Sequence, residues 1–315
     1  MSAGAGRHTV RLADGRSLPV LVTGPADGLP LLFHTGTPAG LVEPGPLSDI
    51  AASSGFRTVL YARPGYGNSD PVPGRLVADA ALDAAAVLDS LGADRFVTAG
   101  WSGGGPHALA AAALLGERCR AAATIAGVAP YRAAGLDWFA GMGPENVDEF
   151  GAATQGEQPL ASMLGAAAAK RPDIAPGEVA AALGGLVTDA DRAALTGWLA
   201  GYLADSMRAA LSAGIAGWRD DDLAFVRDWG FSLDQIEVPV AVWHGDQDAM
   251  VPLAHGEWLA RHIPGAQPHL LAGNDEAIAL AAAPLAGGIF KRAAADPHVV
   301  GKSRITELRQ NKHEQ

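Results

Sequence analysis

The chain has 315 residues, 49% hydrophobic and 18% charged, a balance that supports a large buried core and excludes an intrinsically disordered chain. Its formal net charge of -11, with no Lys/Arg cluster before the extreme C-terminus, argues against a nucleic-acid partner. A single cysteine, Cys119, can build neither an intrachain disulfide nor a thiolate zinc cluster, and it reads as a small buried residue at the end of a helix.

In chain order, His8 to Leu12 and Ser17 to Thr23 form an expected hairpin across Asp14-Gly15. Leu29 to His34, Thr58 to Ala62 and Phe96 to Gly100 read as buried strands. Leu76 to Leu91 carries apolar residues at helical spacing, and Pro106 to Leu115 continues as a helix toward the strand Ala121 to Ala126. Alternation of strands and helices predicts an α/β fold, a mainly parallel sheet with helices on both faces. From residue 130 to 230 the alternation gives way to helical pieces broken by Gly and Pro, the pattern of an inserted helical cap. The strand Pro239 to His244, the helix Ala254 to His262, a strand at His269 to Leu271 and a helix through Ala277 to Arg292 complete the core. The expected division is therefore a core of 1–129 and 231–295, a cap of 130–230, and a polar tail of 296–315, frayed or poorly packed. A basic segment followed by an apolar run is missing at the N-terminus, and no run of about 18 apolar residues occurs, so a cytoplasmic protein without a membrane partner is expected.

A serine hydroxyl needs a base to take its proton and preset N–H donors for the oxyanion. Gly100-Trp101-Ser102-Gly103-Gly104 follows a strand and opens a helix, so its glycines permit the strained turn that lifts a nucleophile above a sheet. The motif alone is weak; the strand–turn–helix setting strengthens it. Ser102 is the expected nucleophile, with the Gly103 N–H as one oxyanion donor and Thr37, in the loop His34-Thr-Gly-Thr-Pro38, as the second. The carboxylate that orients a base belongs after a late strand, where His244-Gly-Asp-Gln-Asp248 offers Asp248, with Asp246 as competitor. His34, Trp101, Trp138, Trp198 and Trp218 are the expected pocket residues, suiting a hydrophobic or aromatic small-molecule substrate. Asp220-Asp221-Asp222 reads as a solvated helix start.

These segments, with Tyr61-Ala-Arg-Pro-Gly-Tyr-Gly-Asn-Ser69 and Val251-Pro252, resemble the α/β-hydrolase superfamily and, within it, the proline iminopeptidase-like hydrolases of bacteria. The resemblance covers nearly the whole chain and implies the order Ser102, Asp248, then a histidine after the last strand. There the sequence reads Leu270-Leu-Ala-Gly-Asn-Asp-Glu-Ala-Ile-Ala-Leu280, which puts Ala277, or Glu276 without a gap, at the histidine position. Three explanations stand: an introduced replacement that traps an acyl-enzyme, a natural non-hydrolytic enzyme, or rescue by another residue. Rescue could involve His269, His255 or His107, or a carboxylate base at Asp275 or Glu276. The activities that follow are hydrolysis of an ester, amide or lactone with an impaired base, carbon–carbon or cyclisation chemistry at a polarised carbonyl, or ligand binding alone. An aminopeptidase would further need acidic cap residues for its substrate's amine. No metal or cofactor motif is present, so cofactor-free chemistry is expected, and a homodimer is possible.

Overall fold

The computed structural model describes residues 6–169, 173–272, 290 and 301–313. Eight strands form one sheet: β1 (Gly6–Arg11), β2 (Ser17–Thr23), β3 (Leu29–His34), β4 (Phe56–Tyr61), β5 (Phe96–Trp101), β6 (Cys119–Ile125), β7 (Val240–Gly245) and β8 (Gln267–Leu271). Their spatial order is β1-β2-β4-β3-β5-β6-β7-β8. The two pairings that involve β2 are antiparallel and the rest are parallel, with His34 opposite Gly100 and Trp101 opposite Ile125.

Every residue of β5, β6 and β7 is buried, as parallel strands covered on both faces must be. Their side chains alternate between two cores. Phe96, Ala122, Val240 and Val242 enter one, together with α2 (Ala80–Ser90), α3 (Gly104–Leu114) and α10 (Leu253–His262). Val97, Ala99, Ala121, Ala123, Ala241 and Trp243 enter the other, against α1 (Pro46–Ser53). The helix α1 has no counterpart among the sequence-based expectations, because the Pro- and Gly-rich stretch before it reads as a loop.

Between β6 and β7 lie α4 (Pro144–Gln155), α5 (Glu157–Ala168), α6 (Val179–Leu183), α7 (Asp189–Ala194), α8 (Gly197–Leu211) and α9 (Ala216–Phe225). Three of them reach the sheet's upper loops, α4 through Asn146 Nδ2, which donates to the Met250 carbonyl at 2.9 Å. Gly40 N–H donates to the Ser206 carbonyl of α8 at 2.9 Å, and Gly217 N–H of α9 donates to the Gly65 carbonyl at 3.1 Å.

Three expectations change. Cys119 is not at a helix end but opens β6, fully buried, which pushes its thiol up to about 12. The expected Leu76 to Leu91 helix is a 3₁₀ turn at Val77–Asp79 followed by α2, because the Leu76 N–H is capped by the Asp79 carboxylate at 3.0 Å. The polar tail is anchored where it is described. The helix α11 (Ile305–His313) buries Leu308, and Arg304 pairs with Glu237 at 3.0 Å and donates to the Gln235 carbonyl. The expected helix from 277 to 292 lies outside the described residues apart from Phe290, which packs edge-on against Phe56. Among the described residues no helix is long and apolar enough to cross a membrane.

Candidate active site

Ser102 follows β5 at once, at the C-terminal edge of the sheet between the ends of β3 and β6, where open α/β sheets place their ligands. Its φ is 52°, and only Ala126, one residue beyond β6, shares a positive φ among the described non-glycine residues. Two hydrogen bonds hold the turn: Ser102 N–H to the Ile125 carbonyl, and Gly105 N–H to the Ser102 carbonyl, each 2.8 Å. The flanking glycines are forced by proximity. A Cβ on Gly100 would lie 2.1 Å from the Gly104 carbonyl oxygen, and one on Gly104 would lie 2.1 Å from that of His34. Left-handed backbone at serine costs about 1–3 kcal/mol and persists only where the surroundings impose it.

Gly103 and Thr37 touch: a Cβ on Gly103 would sit 2.5 Å from the Thr37 hydroxyl. Both residues line the same cavity as Ser102, and neither backbone N–H has an acceptor among the described residues. The Gly36 carbonyl accepts from Arg63 at 2.8 Å. In the trans peptide that joins Gly36 to Thr37, the N–H points opposite to the C=O, so Thr37 N–H faces away from Arg63.

Below this loop lies a buried ionic hub that sequence reasoning missed. Asp221 of α9, fully buried, accepts from Thr37 Oγ1 at 2.8 Å, Arg63 at 2.7 and 3.1 Å, Tyr66 at 2.8 Å and Arg75 at 2.6 Å. Burial alone would raise its pKa, but Arg63 and Arg75 outweigh that and hold it well below the carboxylate range. Arg63 also donates to the Thr35 carbonyl at 2.7 Å and to Thr37 Oγ1 at 3.0 Å. The acidic run is therefore not a solvated helix start: Asp220, Asp221 and Asp222 are 2%, 0% and 0% exposed in the middle of α9. Its clue was the apolar frame of Trp218, Leu223, Ala224 and Phe225, which leaves no polar face. Asp222 lines the cavity, and burial followed by the adjacent Glu149 carboxylate raises its pKa. Trp218 Nε1 donates to Glu149 at 2.8 Å.

Asp248 is 5% exposed and accepts the N–H groups of Met250 and Val251 at 2.9 and 2.8 Å, whereas Asp246 is exposed. Ala277 and Glu276 lie outside the described residues, as does Asp275.

Each histidine weighed as a base is otherwise engaged. His107 Nδ1 lies 2.8 Å from the Gly103 carbonyl, which can only accept, and burial lowers its pKa to about 3. His255 accepts Ala129 N–H and donates to the Trp138 carbonyl, and burial takes it to about 4. His269 stacks on Trp243 at 4.1 Å. Among the described residues no histidine lines the cavity.

Of the expected pocket residues, Trp101 and Trp218 line the cavity, whose volume is about 270 Å³. His34 does not. Its ring is buried behind the serine turn, stacked on His107 at 6.2 Å. Trp138 packs among Tyr131, Phe139 and Phe150 and donates to the Ala129 carbonyl, and Trp198 is 40% exposed on α8. The remaining wall is mostly aliphatic, with Leu199, Leu203 and Met207 of α8 among its members.

A family model of the alpha/beta hydrolase fold matches residues 30–279. The chain belongs to the alpha/beta hydrolase fold family. It is similar to a non-heme chloroperoxidase of Streptomyces lividans, 33% identical over 147 residues, a match that covers 46% of this chain and 53% of that relative. The chain thus spans about half the length of that relative. Among solved structures, an esterase from Rhodococcus sp. ECU1013 superposes with a TM-score of 0.59 at 21% identity, covering 92% of this chain and 98% of that one. The enol-lactonase from Burkholderia xenovorans LB400 gives 0.62 at 18% identity, covering 92% and 100%. At such identities the likeness is one of fold, which in this chain is an 8-stranded sheet, mostly parallel, between helices.

Proposed function

We propose that the chain catalyses acyl transfer from an ester, amide or lactone to Ser102, with the N–H groups of Thr37 and Gly103 as oxyanion donors and Asp248 as the carboxylate of the triad. The carrying observation is the left-handed Ser102, φ 52°, in one cavity with two N–H groups that lack an acceptor among the described residues. Ser102 Oγ attacks the carbonyl carbon, the negative charge on oxygen is met by the two N–H groups, and the C–O or C–N bond breaks as the departing oxygen or nitrogen takes a proton from solvent water. The hydroxyl proton needs an acceptor. With Ala277 or Glu276 where the resemblance expects histidine, and no histidine in the described cavity wall, it passes to solvent hydroxide. Loss of the base costs on the order of 10⁴–10⁶ in rate, so acylation by donors with good leaving groups survives and deacylation is slow.

The aliphatic and aromatic wall supports a hydrophobic acyl group, and the esterase and lactonase named above share the scaffold. Glu145, Asp148, Glu149 and Asp222 also line the cavity, which supports the finer, proline iminopeptidase-like reading, since a substrate amine would be held there. The missing imidazole favours one other reading, carbonyl polarisation without hydrolysis, in which Ser102→Ala leaves part of the native reaction intact.

Steady-state hydrolysis of an aryl ester by the chain, by Ala277→His and by Glu276→His tests the proposal. Turnover rising at least about 100-fold in one histidine variant is the expected result, in line with the general-base contribution. If neither variant gains over the parent while both stay folded, serine hydrolysis is the wrong reaction.

A further inference from the structure

We infer that Asp221 is the positioning residue of the oxyanion site, through which docking of the α4–α9 segment onto the sheet sets the donor loop; the inference rests on the roles proposed for Ser102, Thr37 and Gly103. Asp221 stands on α9, whereas the groups it binds stand on the sheet side: Thr37 after β3, Arg63 and Tyr66 after β4, and Arg75 before α2. The Thr37 hydroxyl is held from two directions, donating to Asp221 and accepting from Arg63. Arg63 is itself fixed by Asp221, and its remaining N–H groups bind the Thr35 and Gly36 carbonyls. The orientation of the 36–37 peptide, and hence the direction of Thr37 N–H, therefore depends on this one carboxylate. The Gly103 donor is held separately, by the serine turn and α3, and His107 makes no hydrogen bond to Asp221.

Close backbone contact makes the coupling stiff. A Cβ on Gly217 would meet the Tyr66 ring at 2.6 Å, so α9 lies directly on the residue that donates to Asp221. If α9 lifts, Arg63 and Thr37 lose their common acceptor, and the donor loop loses its reference while Ser102 stays in place on β5. A cavity filled from the cap side thus holds the Thr37 donor in register, and a displaced cap leaves Ser102 with the Gly103 donor alone aligned.

The test is a time course of Ser102 phosphonylation by an aryl fluorophosphonate, read by intact mass, for the chain, Thr37→Val, Thr37→Ser and Asp221→Asn, with hydrogen exchange of the 34–40 segment. Thr37→Val removes only the hydroxyl link and keeps shape and backbone N–H. It is expected to slow the first-order inactivation step about 10–100-fold with the half-saturating reagent concentration unchanged, less than the roughly 10²–10³ lost when a donor is removed outright. Thr37→Ser is expected to restore the rate, and Asp221→Asn, if folded, to behave like Thr37→Val. Exchange in 34–40 is expected to quicken in Thr37→Val and Asp221→Asn while α3 is unaffected. Parent-like phosphonylation by Thr37→Val would overturn the inference. If the parent itself does not react at Ser102, the serine reading fails separately, and unchanged exchange in Thr37→Val then overturns the positioning role on its own.

Discussion

At the residue scale, the serine turn and the acidic run behave in opposite ways toward sequence reading. Gly100-x-Ser102-x-Gly104 announces itself because its glycines are required by contacts only 2.1 Å long, which no side chain tolerates. Gly100→Ala is accordingly expected to destabilise the fold by about 2–3 kcal/mol in urea denaturation, the upper range for an overpacked site, with phosphonylation of Ser102 lost. The three consecutive aspartates mislead because charge runs are usually solvated; only a tertiary partner such as Arg63, some 160 residues away, makes burial of Asp221 feasible. Asp222 shows the cost of the same burial. Its pKa is raised, so the stability tied to its proton is fully present below the unfolded value of about 3.9 and declines as pH rises toward the folded value. Asp222→Asn removes that slope, and its melting temperature relative to the parent is expected to climb between pH 4 and 8. A constant difference across that range would show that Asp222 ionises normally.

At the element scale, the strands were legible because buried parallel strands are continuous apolar runs, and β3, β5, β6 and β7 fall within about two residues of their expected bounds. The helix α1 was not, since its eight residues follow Gly45 and open with Pro46 and so read as loop. Nor was the docking of α11, whose polar sequence hides one buried leucine and the Arg304–Glu237 pair. Leu308→Ala is expected to cost about 2 kcal/mol, at the low end for a buried leucine, measured by urea unfolding; a change within 0.5 kcal/mol would mean that α11 is not part of the folded unit. The helix α9 depends on its glycine: Gly217→Ala is expected to cost about 1–3 kcal/mol by pressing a methyl into Tyr66.

At the scale of the whole molecule, the hub sets an acid limit on the fold. Asp221 is depressed in the fold, so its stabilisation is complete above the unfolded carboxylate value of about 3.9 and is lost as pH falls below that. Thermal unfolding between pH 2 and 5 is expected to fall steeply, and Asp221→Asn to flatten that limb while costing about 3–5 kcal/mol at neutral pH, because Arg63 and Arg75 lose their counterion. The architecture was readable as alternation of strands and helices, and the loops named in the sequence bring Ser102, Thr37 and Gly103 to one cavity. The ionic hub was not readable, since it joins residues from 37 to 221 that no local pattern links. The most direct measurement is intact-mass and peptide mapping after brief exposure to an activated aryl ester, with Ser102→Ala alongside. A single acyl adduct on Ser102, long-lived and absent from Ser102→Ala, is the predicted result; an unlabelled parent, or an adduct that persists in Ser102→Ala, would contradict covalent chemistry at Ser102.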